Sequence, residues 1–461
     1  MRTLLLAMLC AAPGDPPPVP SAAPIPAASA PVESRAEVDA AVLERIALGS
    51  NPTIAQAAER IEEARGRAIQ AGAYPNPLII WGANDLGSEG TVGTQRGLFQ
   101  QPIITGGKLR ANRARYEVDV EVARCGLARQ RLLVSNGVRL RALRIVGLQR
   151  MLDLRGGLAK VADDVVRTTR EKVDSGHADE ADLLTAQTEA DLIALELDAA
   201  EARLRNSWRE LAAFVGRPDL PPSRLAGDLA GEVRPMDWDA ALARLLAESP
   251  DVRIAALQVR RQELTLRRER IEPIPDLVLR AGAAQNPTIP QTVGYTQLYV
   301  EVPLWDRNKG NIHAAEHGLE DVRKDLDRVR LGLQQRLART YNHHQTSLAN
   351  LAKYRDEILP RARRAFELYR DSFRREDGNF SRVQSSQSAY GRAALKYMEE
   401  LLELRLAEAA VDGLLVHDQS IEVDELRPPS SNGLAPPGEG LPAGAAGGGV
   451  PVGRPTRDES S

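Results

Sequence analysis

The sequence predicts a mainly α-helical chain built as a tandem repeat, each half a hairpin of long helices preceded by a hairpin of short strands. Three observations carry this reading. From Lys108 no proline occurs until Pro218, and apolar residues recur at steps of three and four through about residue 174, a rise of about 100 Å. Asn51-Pro52 and Pro75-Asn76-Pro77 return as Ser249-Pro250 and Pro273-Ile274-Pro275, about 198 residues further on in both cases. Each repeat also carries two stretches of strand length just before its long helix, split by a loop rich in turn residues.

Composition sets the outer limits. The chain has 461 residues with 4% aromatics, and 60 basic residues balance 63 acidic ones to a net charge of -3. The charges alternate along helical faces instead of forming basic blocks, which argues against a nucleic-acid partner. Residues 1–12 have one positive charge, a short apolar core and small residues, the pattern of a minimal secretory signal. Cys10 within it is a candidate lipid-bearing cysteine, although Leu9 stands where a lipobox has a small residue. Cys125 is the other cysteine, so no intrachain disulfide is expected in a processed chain. No later run reaches the 18 to 20 apolar residues of a membrane helix, so any membrane-spanning part must be made of strands.

After a Pro/Ala-rich leader at 13–35, the first repeat occupies 36–235. It opens with a short helix at 36–48 and a second at 53–72, with Asn51 as N-cap and Pro52 at the first position. Strands are expected at 78–84 and 94–104 around Gly87, Gly90 and Gly93. Pro102 and then Thr105-Gly106-Gly107 end the strand and hand the chain to a helix at 108–174. Arg131, Arg141 and Arg155 interrupt its apolar seam, and their stems can cover apolar surface while the charges reach water. The turn at Asp174-Ser175-Gly176-His177 leads to a partner helix at 179–215, and 216–235 is a proline-rich loop.

The second repeat, 236–418, has helices at 237–248 and 251–271, strands at 277–284 and 295–304, and a helix from Lys309 to about 376. That helix turns at Asp377-Gly378-Asn379 and returns over 381–416; residues 427–461 form a Pro/Gly-rich tail without a folding pattern. Helix lengths suggest that the 179–215 helix continues upward as the 251–271 helix, and that the return of the second repeat continues as the 53–72 helix.

In the last strand Thr296, Leu298, Val300 and Val302 alternate with Tyr295, Gln297, Tyr299 and Glu301, the apolar-out, polar-in order of a membrane barrel. Arg280 should then face the lumen. Four strands cannot close a barrel with an interior, and lipid tolerates no open edge, so the strands must be pooled with those of other copies.

This arrangement resembles the TolC-like outer membrane efflux proteins over about residues 36–418. The resemblance rests on Asn51-Pro52, Tyr74-Pro75-Asn76-Pro77, Gln101-Pro102 with Gly106-Gly107-Lys108, and Ser175-Gly176 leading to Asp182-Leu183-Leu184-Thr185-Ala186-Gln187. In the second repeat it rests on Pro303-Leu304, Pro360 and the Gly378 turn. The Pro-Asn-Pro and Gln-Pro-x-x-x-Gly-Gly-Lys segments are most similar to the cobalt-zinc-cadmium resistance branch. The resemblance implies a homotrimer whose twelve pooled strands form a barrel in outer membrane lipid and whose helices form a periplasmic α-barrel. It further implies docking through a periplasmic adaptor protein to a resistance-nodulation-division pump of the inner membrane, for passive export of metal cations or small toxic compounds. Asp174, Gly176, Asp179, Asp182, Asp377 and Gly378 are the candidate residues of the periplasmic tip. The acidic residues that family members carry after the second turn have no counterpart here, where Arg382, Gln384 and Ser385 stand. The rival reading is a soluble periplasmic coiled-coil scaffold without a pore.

Enzymatic chemistry has one foothold. His313-Ala314-Ala315-Glu316-His317 matches the H-x-x-E-H arrangement of inverted zinc peptidases, two imidazoles on one helical face with a carboxylate as base. Its counterparts in the first repeat are Asn112, Arg115 and Tyr116, so the expectation is no enzyme, no cofactor and no resident metal. His343-His344 reads as a pair on a helix surface.

Overall fold

A computed structural model of the chain describes residues 37–416, apart from 85, 88–92, 232, 234, 287–290 and 376–378. Cys10, the leader, Asp377, Gly378 and the tail lie outside the described residues. In chain order the elements are β1 (Val38–Asp39), α1 (Ala40–Ser50), α2 (Pro52–Ala71), β2 (Leu78–Asn84), β3 (Thr94–Ile103), α3 (Lys108–Asp174) and α4 (Glu180–Val215). Then follow β4 (Leu225–Ala226), α5 (Trp238–Glu248), α6 (Pro250–Ile271), β5 (Leu277–Asn286) and β6 (Gln291–Val300). The chain ends in α7 (Lys309–Lys353), a π-helical turn (Tyr354–Ile358), α8 (Leu359–Arg374) and α9 (Phe380–Asp412).

Local chemistry explains most of these bounds. Asn51 accepts a hydrogen bond from the Thr53 N–H at 3.0 Å, and Pro52 takes the first helical position, where its missing N–H costs nothing. The change from β3 to α3 needs two left-handed residues, Gly106 at φ 62° and Gly107 at φ 69°. In the second repeat Asn308 takes the same conformation at φ 58°, held by its amide donating to the Glu269 carbonyl at 2.9 Å.

Helix α3 runs its 67 residues without interruption, as the sequence predicts. Arg141 lays its guanidinium 3.9 Å from the Phe214 ring centre and Arg155 pairs with Glu196, so both charges find partners while their stems stay in the seam. The second descending helix is different: it stays helical from Lys309 to Arg374, as the 309–376 helix of the sequence reading requires, but takes one π turn at 354–358. Pro360 is the cause. It has no N–H to give the carbonyl four residues back and its ring crowds that carbonyl, and one wide turn relieves both.

Two expectations are corrected. Strand β6 covers Gln291–Val300, not 295–304, because its partner β5 begins at Leu277, which pairs with Val300, and leaves nothing for residues 301–304 to bond. The ascending path also differs, since α4 is continued by α2 and not by α6. The open carbonyls at the α4 C-terminus are met by the residues at the junction of α1 and α2: Asn51 donates to the Phe214 carbonyl at 2.9 Å and Ser50 to the Val215 carbonyl at 2.7 Å. Helix α6 instead sits above α9, where Arg336 reaches both the Leu415 carbonyl, at 3.3 Å, and Asp251, at 3.5 Å.

The largest core lies midway along α3. Val134, Val138, Leu140, Ile145 and Val146 pack there against Leu43 and Ala47 of α1, Trp208 and Leu211 of α4, and Leu402 and Leu404 of α9. The short parallel pair β1–β4 closes over it, with Leu225 and Leu229 filling in from the 216–237 segment. Above this level the helices neighbour one another in the order α2, α3, α6, α7. The sheet above them has the same order, β2-β3-β5-β6.

Candidate functional site

The four-stranded sheet sorts its side chains by face. The two hairpins join through antiparallel pairing of β3 with β5, from Gln95 opposite Gln285 to Ile103 opposite Leu277. Because side chains alternate and the register is continuous, cross-strand partners share a face. One face carries Ile79, Trp81, Phe99, Ile103, Leu277, Leu279, Ala281, Ala283, Leu298 and Val300. In the single chain Ile79 is 85% exposed, Trp81 72% and Leu298 60%, an apolar surface that water does not stabilise. The opposite face holds Arg96, Gln100, Arg280, Gln297, Tyr295 and Tyr299, with Leu78, Ile80, Leu98 and Val278 among them. There Arg280 donates to the Gln100 side-chain oxygen at 2.7 Å and lies 4.2 Å from the Tyr299 ring centre, on the polar side where the sequence reading places it. Strands β2 and β6 each pair on one side only, leaving two open edges within the chain.

Below the sheet, an ion pair with a buried lysine ties the first repeat to the second. Lys108, 6% exposed, reaches Asp276 at 3.1 Å, and the same carboxylate accepts from the Thr105 N–H at 2.8 Å. Burial pushes the Asp276 carboxyl up, but the Thr105 N–H and the Lys108 ammonium outweigh it and hold the group below the usual aspartate range. The sequence shows Lys108 as part of a motif; it contains no signal that Asp276 is its partner.

At the far end of α3 the turn is a Schellman motif: the His177 N–H reaches the Lys172 carbonyl at 2.8 Å and the Gly176 N–H the Val173 carbonyl at 3.0 Å, with Gly176 at φ 76°. Asp174 and Asp179 are exposed and Asp182 is half-buried. Asp179 is the N-cap of α4, yet its side chain accepts no capping hydrogen bond, whereas Glu180 and Asp182 fall in the first turn, where the helix dipole favours acids. Phe366, Phe373, Phe380, Val383, Val165 and Ala186 form a small core that packs the two hairpin ends together. Lys172 lies 4.5 Å from the Phe373 ring centre, and Arg374 pairs with Asp164 across the hairpins. Sequence reasoning missed this lacing, because α3 and α8 are about 200 residues apart and neither residue stands in a motif.

The histidines separate. Glu316 is engaged by Arg270 at 2.8 Å, and His313 and His317 stand exposed on the helix. His344 is 0% exposed, packed between α7 and α9 with its Nε2 3.9 Å from Glu408, which corrects the surface reading of the 343–344 pair. Among the described residues no helix is long and apolar enough to cross a membrane.

Comparison with known proteins agrees with this geometry. The sequence profile of the family described as outer membrane efflux protein matches residues 43–217 and 241–415. The chain is 25% identical over 371 residues to the cobalt-zinc-cadmium resistance protein CzcC of Cupriavidus metallidurans, spanning 80% of this chain and 88% of that one. It is 26% identical over 300 residues to the nickel-cobalt-cadmium resistance protein NccC of Alcaligenes xylosoxydans xylosoxydans, spanning 63% and 66%. Among solved structures, the outer-membrane channel OprN superposes with a TM-score of 0.71 at 14% identity, over 82% of this chain and 89% of that one.

Proposed function

The chain belongs to the outer membrane efflux protein family, and from that premise we propose that it is the passive outer membrane duct of a tripartite metal-efflux system. One observation carries the reading: a sheet with one face rich in apolar residues, the other carrying both its arginines, and two open edges, set at the end of helices about 100 Å long. The apolar face suits lipid and the polar face a water-filled lumen. The edges of β2 and β6 must be paired before the sheet can enter a bilayer, and three copies joined β6 to β2 give twelve strands and a lumen. The helices, ordered as the strands are, then continue the barrel as a tube in the periplasm, where an adaptor protein and a resistance-nodulation-division pump would meet its tip. Divalent metal cations are the cargo favoured by the likeness to the cobalt-zinc-cadmium and nickel-cobalt-cadmium resistance proteins. The duct provides a path and no chemistry.

Native mass spectrometry of the protein extracted from outer membranes is expected to find three chains, dissociated only on heating in detergent. A stable monomer purified without detergent would overturn the duct and favour the soluble scaffold.

The tip is where passage is set. Three copies would bring Asp174, Asp179 and Asp182 towards one axis, where like charges in a narrow aqueous opening repel one another and attract cations. Asp377 and Gly378 are proposed to complete the tip. Replacing Asp179 and Asp182 together by asparagine is expected to lower cation over anion selectivity in single-channel recordings, more at low salt than at high. Selectivity unchanged at low salt would reduce these acids to ordinary helix-start residues.

A further inference from the structure

We propose that His313 and His317 form a binding site for a borderline divalent transition-metal ion, with both ligands on one turn of α7. Their rings stand with centroids 4.4 Å apart and planes at 77°. A metal ion about 2.0–2.1 Å from each ring nitrogen would lie about 3.2 Å from each centroid. The centroids would then be about 4.5 Å apart for ligands at a right angle and about 5.2 Å for tetrahedral ones. The observed spacing lies just below the narrow end of that range, so small rotations of the two side chains would bring the nitrogens to chelating distance.

In the single chain the pair is exposed. At 3.6 residues per turn the two histidines lie about 160–200° around α7 from Ala315, which is buried with Leu319 against Leu266 of α6. They therefore project from the side away from α6, which in the proposed ring of copies is turned to the α2 helix of the next copy. Their counterparts in the first repeat are used up by the fold: Asn112 donates to the Ala71 carbonyl at 3.1 Å, and Tyr116 packs with Ala64 and Ala68. In the second repeat the same positions carry no such duty.

Ligand chemistry selects the ion. With Glu316 held by Arg270, the site offers two imidazole nitrogens, which suit zinc, cobalt, nickel or copper and discriminate against calcium and magnesium, whose preference is for oxygen. Among the described residues of one chain no group of three or more metal-ligating side chains is assembled, so water fills the remaining positions. Both ligands come from one helix, so the pair exists in the single chain; in the duct reading, on which that placement rests, the ion would sit at the seam between two copies.

Calorimetric titration of the purified full-length protein with Ni2+ and Co2+ tests it. One ion per chain is expected, at tens of micromolar metal or tighter, with affinity reduced at least about tenfold in H313N and in H317N. H177N serves as the comparison and should bind as the unaltered protein does, and millimolar Mg2+ should not compete. Circular dichroism and native mass, taken on the same samples, report folding and assembly separately. Binding that persists in the H313N/H317N double variant would overturn the proposal, as would an unaltered protein that binds no more metal than the double variant.

Discussion

Replacing Phe99 by arginine is expected to eliminate the membrane-inserted oligomer, while the same change at its neighbour Leu98 leaves it assembled. Phe99 stands midway along β3, opposite Ile79 on one side and Ala281 on the other, on the apolar face and 45% exposed in the single chain. An arginine facing lipid near the bilayer midplane costs about 2–4 kcal/mol. Three copies of the chain would each bear that cost, which is comparable with the whole stability of many folded domains. Leu98 points the other way, sharing its face with Ile80 and Gly282 and, two residues on, with Gln100 and Arg280, where a guanidinium can stay in water. The measurement is the yield of heat-dissociable oligomer in outer membrane fractions. Equal yields from F99R and L98R would mean that the two faces do not separate lipid from water.

The second large effect lies at the joint between the repeats. Asp276→Asn removes the carboxylate facing Lys108 and leaves a nearly buried ammonium without its counter-charge. Breaking such a pair costs more than the pair contributes in net terms; with Asp276 itself one-third exposed, about 2–3 kcal/mol is expected. The double variant K108M/D276N, which removes both charges, should recover part of that loss. Acidification should act in the same direction. The carboxyl is held below its unfolded value, so its contribution is fully present above about pH 4 and is lost as the pH falls through the folded-state value. The unaltered oligomer should therefore dissociate at a lower temperature at pH 3 than at pH 7, and D276N should show a smaller drop. An equal drop in both would assign the acid sensitivity to other carboxylates.

The sequence reading succeeded where local chemistry and repetition speak. The proline-free run after Gly107 marks α3 to the residue at both ends, since a helix that long has no internal stop and is closed by the Gly106-Gly107 and Ser175-Gly176 turns. Strand β2 and the N-cap at Asn51 follow in the same way from Pro77 and Pro52. It failed where a distant partner decides. Strand β6 is displaced by four residues because a strand ends where its neighbour does, and periodicity in one segment carries no information about the other. His344 looks like a surface residue from its charged and amide-bearing neighbours, yet α9 covers it.

Of the candidate site, the turn at Gly176 and the face of the sheet on which Arg280 lies were legible, because glycine geometry and strand alternation are properties of short segments. The lacing of Arg374 to Asp164 and the pairing of Lys108 with Asp276 were not, for each joins residues more than 160 positions apart. By itself, then, the sequence determined the tandem repeat, the long helices and the strands that precede them, all consequences of hydrogen bonding and apolar period within a few turns of chain. The tertiary structure alone decided that β3 pairs with β5, that α2 rests on α4, and that ten apolar side chains come to one face of a single sheet. Those outcomes depend on which distant backbone groups satisfy one another, and register between segments is a property that neither segment encodes alone.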